Sequence, residues 1–590
     1  MFQQDLEAVG GSLALSALCA ATPLLTLFVL LGGLRLRAWV AGLISLAVAL
    51  VVAVVLFSMP FGQALTAGVD GAVFGFFPIL WIVINAIWVY NLTVASGHFD
   101  VLRRSFEKVS PDQRIQAIII AFCFGALLEA LAGFGTPVAI TVVMLMALGF
   151  RPLKAAAVAL IANTAPVAFG ALATPIVTLA SVTSAVSDDS RLTVEGLGSM
   201  VGRQTPILAV IVPLILIYVV DGRRGVRATW LPAIVCGVSF GLAQFVSSNY
   251  ISVPLADIVA ALVAAASVVL LLRVWKPSEV LTAEQAGAEE DALEESHAEG
   301  RSEKRSGRRA PDGISTAVTG STTRGVDTRV GTGAGADSNV PRDSGVDVLK
   351  AYAPYLVIIA IFSIVNIPSV VAALAEEPFT YLFTVPGLDI LNPAGDPVVT
   401  QFKFNWLPAA GTLMIFAGLI TALILKVSPA KAAKTYVETY IELKSAIITV
   451  MAVLALAYVM NLSGQTASLG AWLAGTGAAF ALLSPILGWI GVAVTGSDTS
   501  ANALFGALQV QTAVEAGLDP VLMASANTSG GVLGKMVSPQ NLAIAAAAVG
   551  MAGREGDIFR KVIGWSLGLL VLMCILVGLQ STPVLDWMVP

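Results

Sequence analysis

Apolar runs of about 20 residues recur along almost the whole chain, and this feature decides the solvent in which it can fold. Runs of that length suit helices that cross a bilayer. Transmembrane β-strands would show shorter, alternating segments of roughly ten residues. Of the 590 residues, 57% are hydrophobic and only 12% are charged, against about 25% charged in soluble proteins. A soluble enzyme is excluded. One third of the Asp, Glu, Lys and Arg residues lie between Lys276 and Lys350, so the remaining chain is more apolar than its average. A net charge of −5 gives no reason to expect nucleic acid as a partner. The expected fold is an all-α polytopic membrane protein with about 12 to 14 membrane segments in contact with the lipid bilayer.

The charged stretch also divides the chain. Pro277 to Val346 is rich in Ala, Gly, Ser, Thr, Glu and Arg with almost no aromatics, so it cannot bury a core and reads as a disordered tether. Residues 1–275 then form an N-terminal membrane half, 276–349 a linker and 350–590 a C-terminal membrane half. Asp5 and Glu7 stand where a signal peptide would be basic, so Leu13 to Leu34 reads as a retained helix. Arg35 and Arg37 place the loop after it in the cytoplasm and the N-terminus outside. The same rule puts inside the basic residues Arg103, Arg104, Lys108 and Arg114, then Arg151 and Lys154, then Arg223, Arg224 and Arg227. Arg273 and Lys276 make the linker cytoplasmic; Lys426, Lys431, Lys434, Arg554, Arg560 and Lys561 are inside too. The loop near Ser187, Asp188 and Asp189 and the stretch from Ala375 to Gln401 fall outside, as do both termini. This topology has one condition. Ile115 to Phe150 must enter and leave on the cytoplasmic side, as a hairpin or two short helices, and its middle, Ala132-Gly133-Phe134-Gly135-Thr136-Pro137, breaks a helix well.

The two halves share a pattern. Ala162-Asn163-Thr164, Gly170 and Thr174-Pro175 match Ala526-Asn527-Thr528, Gly534 and Ser538-Pro539 without a gap. Upstream, Gly149-Phe150-Arg151-Pro152-Leu153 faces Gly517-Leu518-Asp519-Pro520-Val521, and Gly133-Phe134-Gly135-Thr136 faces Gly496-Ser497-Asp498-Thr499. Arg151 and Lys154 mark the first copy's loop as cytoplasmic, whereas Asp519 and Leu522 suit an external one. Two inverted repeats with broken helices or re-entrant hairpins are expected, the plan of secondary transporters.

Such breaks point to an anion. Irregular backbone at membrane depth survives only where protein or a watery cavity satisfies it. The amides of a broken helix favour a carboxylate. Gly133, Gly135 and Pro137 supply one break, Pro166, Gly530 and Gly531 others, and Gly133 and Thr136 are candidate substrate contacts. Asn163, Thr164, Asn527, Thr528 and Ser529 add neutral donors for carboxylate and hydroxyl oxygens. Their bland alternative is gluing helices together. Glu129 lies about 14 residues beyond Ile115, roughly 21 Å into a core about 30 Å thick. An ionised carboxylate there is costly, so Glu129 is expected to be paired or to carry the coupling proton, with Asp498 as second choice. Lys535 is the deep cation of the motifs, and either pairs with Asp498 or binds the substrate carboxylate. Asp70 and Asp257, near the ends of apolar runs, read as interfacial. Trp81, Trp88, Tyr90, Trp230 and Trp406 read as interface anchors or packing. Cys19, Cys123, Cys236 and Cys574 read as small buried hydrophobes, none at a disulfide or metal spacing. With only His98 and His297, both in polar segments, no intramembrane metal site or triad is expected; no cofactor is expected beyond the proton as coupling ion.

Several stretches resemble the L-lactate permease family: Phe124-Gly125-Ala126-Leu127-Leu128-Glu129-Ala130-Leu131-Ala132-Gly133-Phe134-Gly135-Thr136-Pro137 and on to Thr141, Leu160 to Gly170, Thr495 to Asn502, Ala526 to Gly531, and Lys535-Met536-Val537-Ser538-Pro539-Gln540-Asn541. The resemblance covers nearly the whole chain except the linker from Pro277 to Val346, which departs from the compact form of the family. It implies uptake of L-lactate, and of D-lactate and glycolate, by proton symport across a bacterial plasma membrane. The site residues above rest on the repeat, not on the resemblance, and oligomeric state stays open. Rival readings are a sodium-coupled carboxylate carrier, an anion channel and a membrane-embedded enzyme using Glu129 and Asp498.

Overall fold

The computed structural model describes residues 1–285 and 344–590 apart from positions 35, 108, 134, 185, 283, 366, 396, 399 and 553. The linker reading falls largely on 286–343, outside the described residues, as do Arg35, Lys108 and Phe134. The chain is almost wholly helical; its only strands are two short pairs, Phe2–Gln3 with Ile390–Leu391 and Tyr381–Thr384 with Gln401–Phe404, among the described residues. Ten described helices are long and apolar enough to cross a membrane, or eleven counting one bent pair. That is fewer than the expected 12 to 14, for two physical reasons. The apolar helices Thr136–Ala147 and Ala410–Ile424 are short. The stretch Val194–Ile251 is counted once but folds back on itself. It breaks at Asp221 and Gly222, and beyond the break Gly237 packs on Val210 and Gly241 on Pro206.

The condition set by the charges is met in the geometry. Gln113–Ala132 and Thr136–Ala147 are the arms of an antiparallel hairpin. Its mouth is closed by Gln113 Nε2 donating to Leu148 O (3.2 Å), and Gly125 faces Thr141 midway. Its tip turns at Gly133 and Gly135, both at positive φ, where a side chain is strained. The matching region of the second half is also a hairpin. Phe480–Thr495 and Asp498–Ala516 lie antiparallel, with Gln509 Nε2 donating to Ser484 O (3.0 Å) and Gly491 against Ala501. Its tip turns at Gly496 and is capped by the Ser497 hydroxyl, which accepts from Ser500 N. Each hairpin is followed by a broken helix. Pro152–Ala162 and Val167–Thr183 meet at 63°; Pro520–Gly534 gives way at Lys535–Val537 to Pro539–Ala548. Proline at the first turn starts several of these helices, where its missing N–H costs nothing.

Asp498–Ala516 runs alongside Gly170–Thr183 in the same direction, with Asn502 Nδ2 donating to Pro175 O and Gly506 against Leu179. The second hairpin therefore opens toward the end of the bundle opposite to the first, and the two tips meet in the middle. The basic loops gather at one end. There Arg114 pairs with Asp112 (2.6 Å) and Asp221 (3.1 Å), Arg224 with Glu279 (3.1 Å), and Lys431 Nζ reaches Ala95 O. Both termini lie at the far end with the segments expected to be external. Phe2 pairs with Ile390, and Arg191 bridges Asp189 (2.7 Å), Asp519 (2.8 Å) and Pro590 O. That guanidinium holds the Asp189 carboxyl below the usual carboxylate range.

Candidate functional site

The meeting point of the tips holds the buried charge. Glu129, one turn before the first tip, forms an ion pair with Lys535, at the break of the last repeat helix. The Nζ to Oε1 distance is 2.6 Å, and the side chains are only 4% and 7% exposed. Asn163 Nδ2 donates to the other carboxylate oxygen at 2.9 Å. Gly170 gives the carboxylate its room, since a Cβ there would lie 2.8 Å from Oε1. Just beyond Gly170, Ala171, Leu172 and Ala173 all adopt left-handed backbone, a strained arrangement for residues with a Cβ. Asp498, the first residue past the second tip, is buried with no hydrogen-bond partner at either oxygen. Between these groups is a cavity of about 40 Å³ lined by Glu129, Gly133, Gly170, Asp498, Thr499 and Lys535. It has room for a few waters.

Larger cavities flank it. One of about 1100 Å³ opens at the basic end, lined by Arg37, Thr136, Glu442 and Glu555, and shares Ser497 and Gln540 with the central cavity. One of about 630 Å³ lies at the far end, lined by Asp70, Glu195, Pro254 and Lys403. The centre thus sits between two vestibules.

Of the residues expected to contact substrate or proton, Glu129, Gly133, Asp498 and Lys535 line the central cavity, Asn163 holds Glu129, and Thr136 lines the basic vestibule. The others are spent on packing. Thr164 bonds its own helix at Ile161 O. Asn527 Nδ2 and Thr528 Oγ1 both donate to Asn502 Oδ1 (2.9 and 3.0 Å), Asn527 Oδ1 accepts from Gln509, and Ser529 donates to Gln204 (2.6 Å). One reading of the sequence is corrected and one open choice is narrowed. Lys535 makes its ion pair with Glu129 and not with Asp498. Asp257 is fully buried, not interfacial. Cys123 and Cys236 are free and buried, as read, although the fold brings their sulfurs to 3.5 Å. Gly170, Thr174, Thr499 and Gln540 were not singled out, although Gly170 and Thr174 stand in the repeat and Thr499 and Gln540 in the family stretches.

Paired hairpin tips, broken helices and a buried charged cavity between two vestibules are the plan of a multi-pass membrane permease. The L-lactate permease family model matches residues 16–584. The chain is 41% identical to the L-lactate permease of Bacillus subtilis, with 99% of this chain and 98% of that one aligned. It is 40% identical to the L-lactate permease of Escherichia coli over the full length of both. It is also 40% identical to the glycolate permease GlcA of Escherichia coli, covering 97% of this chain and 96% of that one. The chain belongs to the L-lactate permease family. Among solved structures, the MtrF efflux pump of Neisseria gonorrhoeae (TM-score 0.42, 13% identity, 88% of this chain and 84% of that one) and the YdaH transporter of Alcanivorax borkumensis (TM-score 0.37, 13% identity, 85% and 84%) share a loose likeness that decides nothing about fold or mechanism.

Proposed function

We propose that the protein takes up L-lactate, and related 2-hydroxymonocarboxylates such as D-lactate and glycolate, by proton symport across the bacterial plasma membrane. The relatives named for lactate and glycolate support the substrate class. The observation that carries the coupling is the Glu129–Lys535 ion pair at the cavity.

Lys535 and Arg114 are the buried cations among the described residues, and Arg114 is committed to Asp112 and Asp221 at the basic end. A monocarboxylate reaching the centre therefore has one ammonium to bind, already held by Glu129. A proton on Glu129 cancels that claim. The Lys535 ammonium then turns to the substrate carboxylate, while the protonated Glu129 keeps its bond from Asn163. The centre carries the same net charge empty and loaded, so the loaded state adds no uncompensated charge at membrane depth. Ser497 and Thr499 offer hydroxyls for the remaining substrate oxygens.

The central cavity is too small for a six-atom acid as it stands, so loading requires a wall to move. Ser497 and Gln540 separate it from the basic vestibule, and the strained Ala171–Ala173 turn leads toward the far one. Opening one wall at a time gives alternating access, with the two repeats inverted across the bilayer and the basic end in the cytoplasm. Asp498, with both oxygens unpartnered beside Thr499, favours one rival, sodium as coupling ion.

Uptake of radiolabelled L-lactate into proteoliposomes with the interior alkaline and sodium absent separates these readings. Uphill uptake that a protonophore collapses, and that glycolate but not succinate inhibits, is the expected result. Uptake only after sodium is added moves the coupling to sodium, and downhill flux alone removes it.

A further inference from the structure

The proton mechanism above uses Glu129, yet a second carboxylate lies behind it that the mechanism leaves idle. Asp257 sits in the first turn of Ala256–Val274, and this helix packs directly against Gly125–Ala132, which carries Glu129. It is completely buried. Its Oδ1 accepts from Gln244 Nε2 at 2.9 Å, while its Oδ2 is buried without a partner. Gln244 is fixed in turn. Its Oε1 accepts from Thr205 (3.1 Å), and its Nε2 also approaches Ala165 O at 3.5 Å. Ala165 stands two residues after Asn163, in the break of the helix whose Asn163 holds Glu129. A polar thread thus runs from Glu129 through Asn163, the broken turn and Gln244 to Asp257. The charged groups within electrostatic reach of Asp257 are Glu129 and Lys535.

The position is as telling as the contacts. Pro254, one turn before Asp257, lines the far vestibule, whose other charged groups are Asp70, Glu195 and Lys403. Asp498 sits on the opposite side of the centre, where its neighbours Ser497 and Ser500 line the basic vestibule. Apart from Asp112, which Arg114 neutralises at the basic end, the buried carboxylates among the described residues, Asp257, Glu129 and Asp498, therefore step from one vestibule to the other. Against them stands Lys535, which balances only Glu129. An ionisable residue this deep with an unsatisfied oxygen has no packing reason to be acidic, because an asparagine would make the same bond to Gln244.

We propose that Asp257 is a proton relay, taking protons from the far vestibule and passing them to Glu129; this rests on the proton-symport reading. In the transfer, the proton leaves Asp257 Oδ2 and binds a Glu129 oxygen. Asp257 is left as a carboxylate, which the vestibule reprotonates. Asp257 is a positioning and relay residue that never touches the substrate.

The test is Asp257→Asn in proteoliposomes, assayed in parallel for lactate exchange at equal pH and for uptake driven by a pH gradient. The substitution keeps the acceptor for Gln244 and removes only the titrating oxygen. The relay predicts exchange near the wild-type rate and gradient-driven accumulation falling toward an inside-to-outside ratio of unity. Wild-type accumulation in the variant overturns it, and so does equal loss of both activities, which marks a structural role. A wild-type protein that ignores the pH gradient in the same assay refutes the symport reading itself, so the two failures are told apart. Asp257→Glu gives a second readout if the Asn protein does not insert. The infrared carboxyl band that titrates in the wild type shifts in frequency in this variant if Asp257 is the titrating group, and an unshifted band overturns the proposal.

Discussion

Replacing Glu129 by glutamine tests the exchange of partners at Lys535 from both sides. The variant keeps the size of the side chain and an oxygen for Asn163 Nδ2, but it leaves the Lys535 ammonium without its counterion. Both side chains are more than nine-tenths buried, and breaking such a pair by removing one partner costs about 3–5 kcal/mol. The same cost is what an incoming anion must meet in the wild type unless a proton arrives with it. If one proton is taken up per anion, apparent lactate affinity falls up to about tenfold for each unit of rising pH. In Glu129→Gln that slope disappears, because the ammonium is already free. The assay is a lactate-binding titration at several pH values on purified protein, alongside thermal unfolding with and without lactate. Expected are a lower unfolding midpoint without ligand, a larger stabilisation by lactate than in the wild type, and affinity independent of pH. Proton-driven accumulation is abolished while exchange partly survives. A variant whose affinity keeps the wild-type pH slope, or which loses exchange and accumulation equally, refutes the reasoning.

Further expectations follow from the same geometry. Gly170→Ala places a methyl 2.8 Å from Glu129 Oε1, so driven uptake drops while membrane insertion is retained; unchanged uptake would contradict the close approach. Thr528→Val loses one buried hydrogen bond to Asn502, about 1 kcal/mol of stability, and leaves the KM for lactate unchanged; a raised KM would put Thr528 in the substrate site. Mild oxidation of the detergent-solubilised protein removes two of its four thiols, as counted by alkylation, and Cys123→Ser prevents this, because those two sulfurs lie 3.5 Å apart. At the far end, Arg191 lowers the Asp189 carboxyl. The stability from that contact is present above the ordinary aspartate value of about 3.9 and is lost as pH falls through the lower folded value. Acid melting curves of the wild type should therefore show a decline below about pH 4 that Arg191→Gln lacks.

What the sequence revealed depended on whether a residue's surroundings were local. The first hairpin was legible because basic residues on both sides of Ile115–Phe150 forced its ends together and a Gly-Pro cluster broke its middle. The second hairpin has no such flanking charges and was legible only through the match of its Gly496–Thr499 tip to the first. The matched Asn-Thr pairs announced a repeat but not its wiring. Val521 to Val537 is buried on every side, so no amphipathic face shows which side chains look toward a cavity. Asn527 and Thr528 consequently turn to Asn502, whereas Asn163 turns to Glu129. Lys535 sits closer in sequence to Asp498, yet its ion pair is with a residue 406 positions away, brought in by tip-to-tip packing of the hairpins. Asp257 stands at the start of an apolar run, which normally marks an interface. Its helix begins below the surface, because the buried turn at Val253–Leu255 packs against Gly198 and the helix Gly170–Thr183.

The central claim is that a lactate anion reaches Lys535 only as Glu129 takes a proton. The most direct measurement is proton uptake on binding: saturating L-lactate is added to purified protein in weakly buffered solution, and the pH change is followed with an indicator dye. The account predicts net uptake approaching one proton per lactate bound in the wild type and none in Glu129→Gln. Lactate binding without proton uptake in the wild type would contradict it.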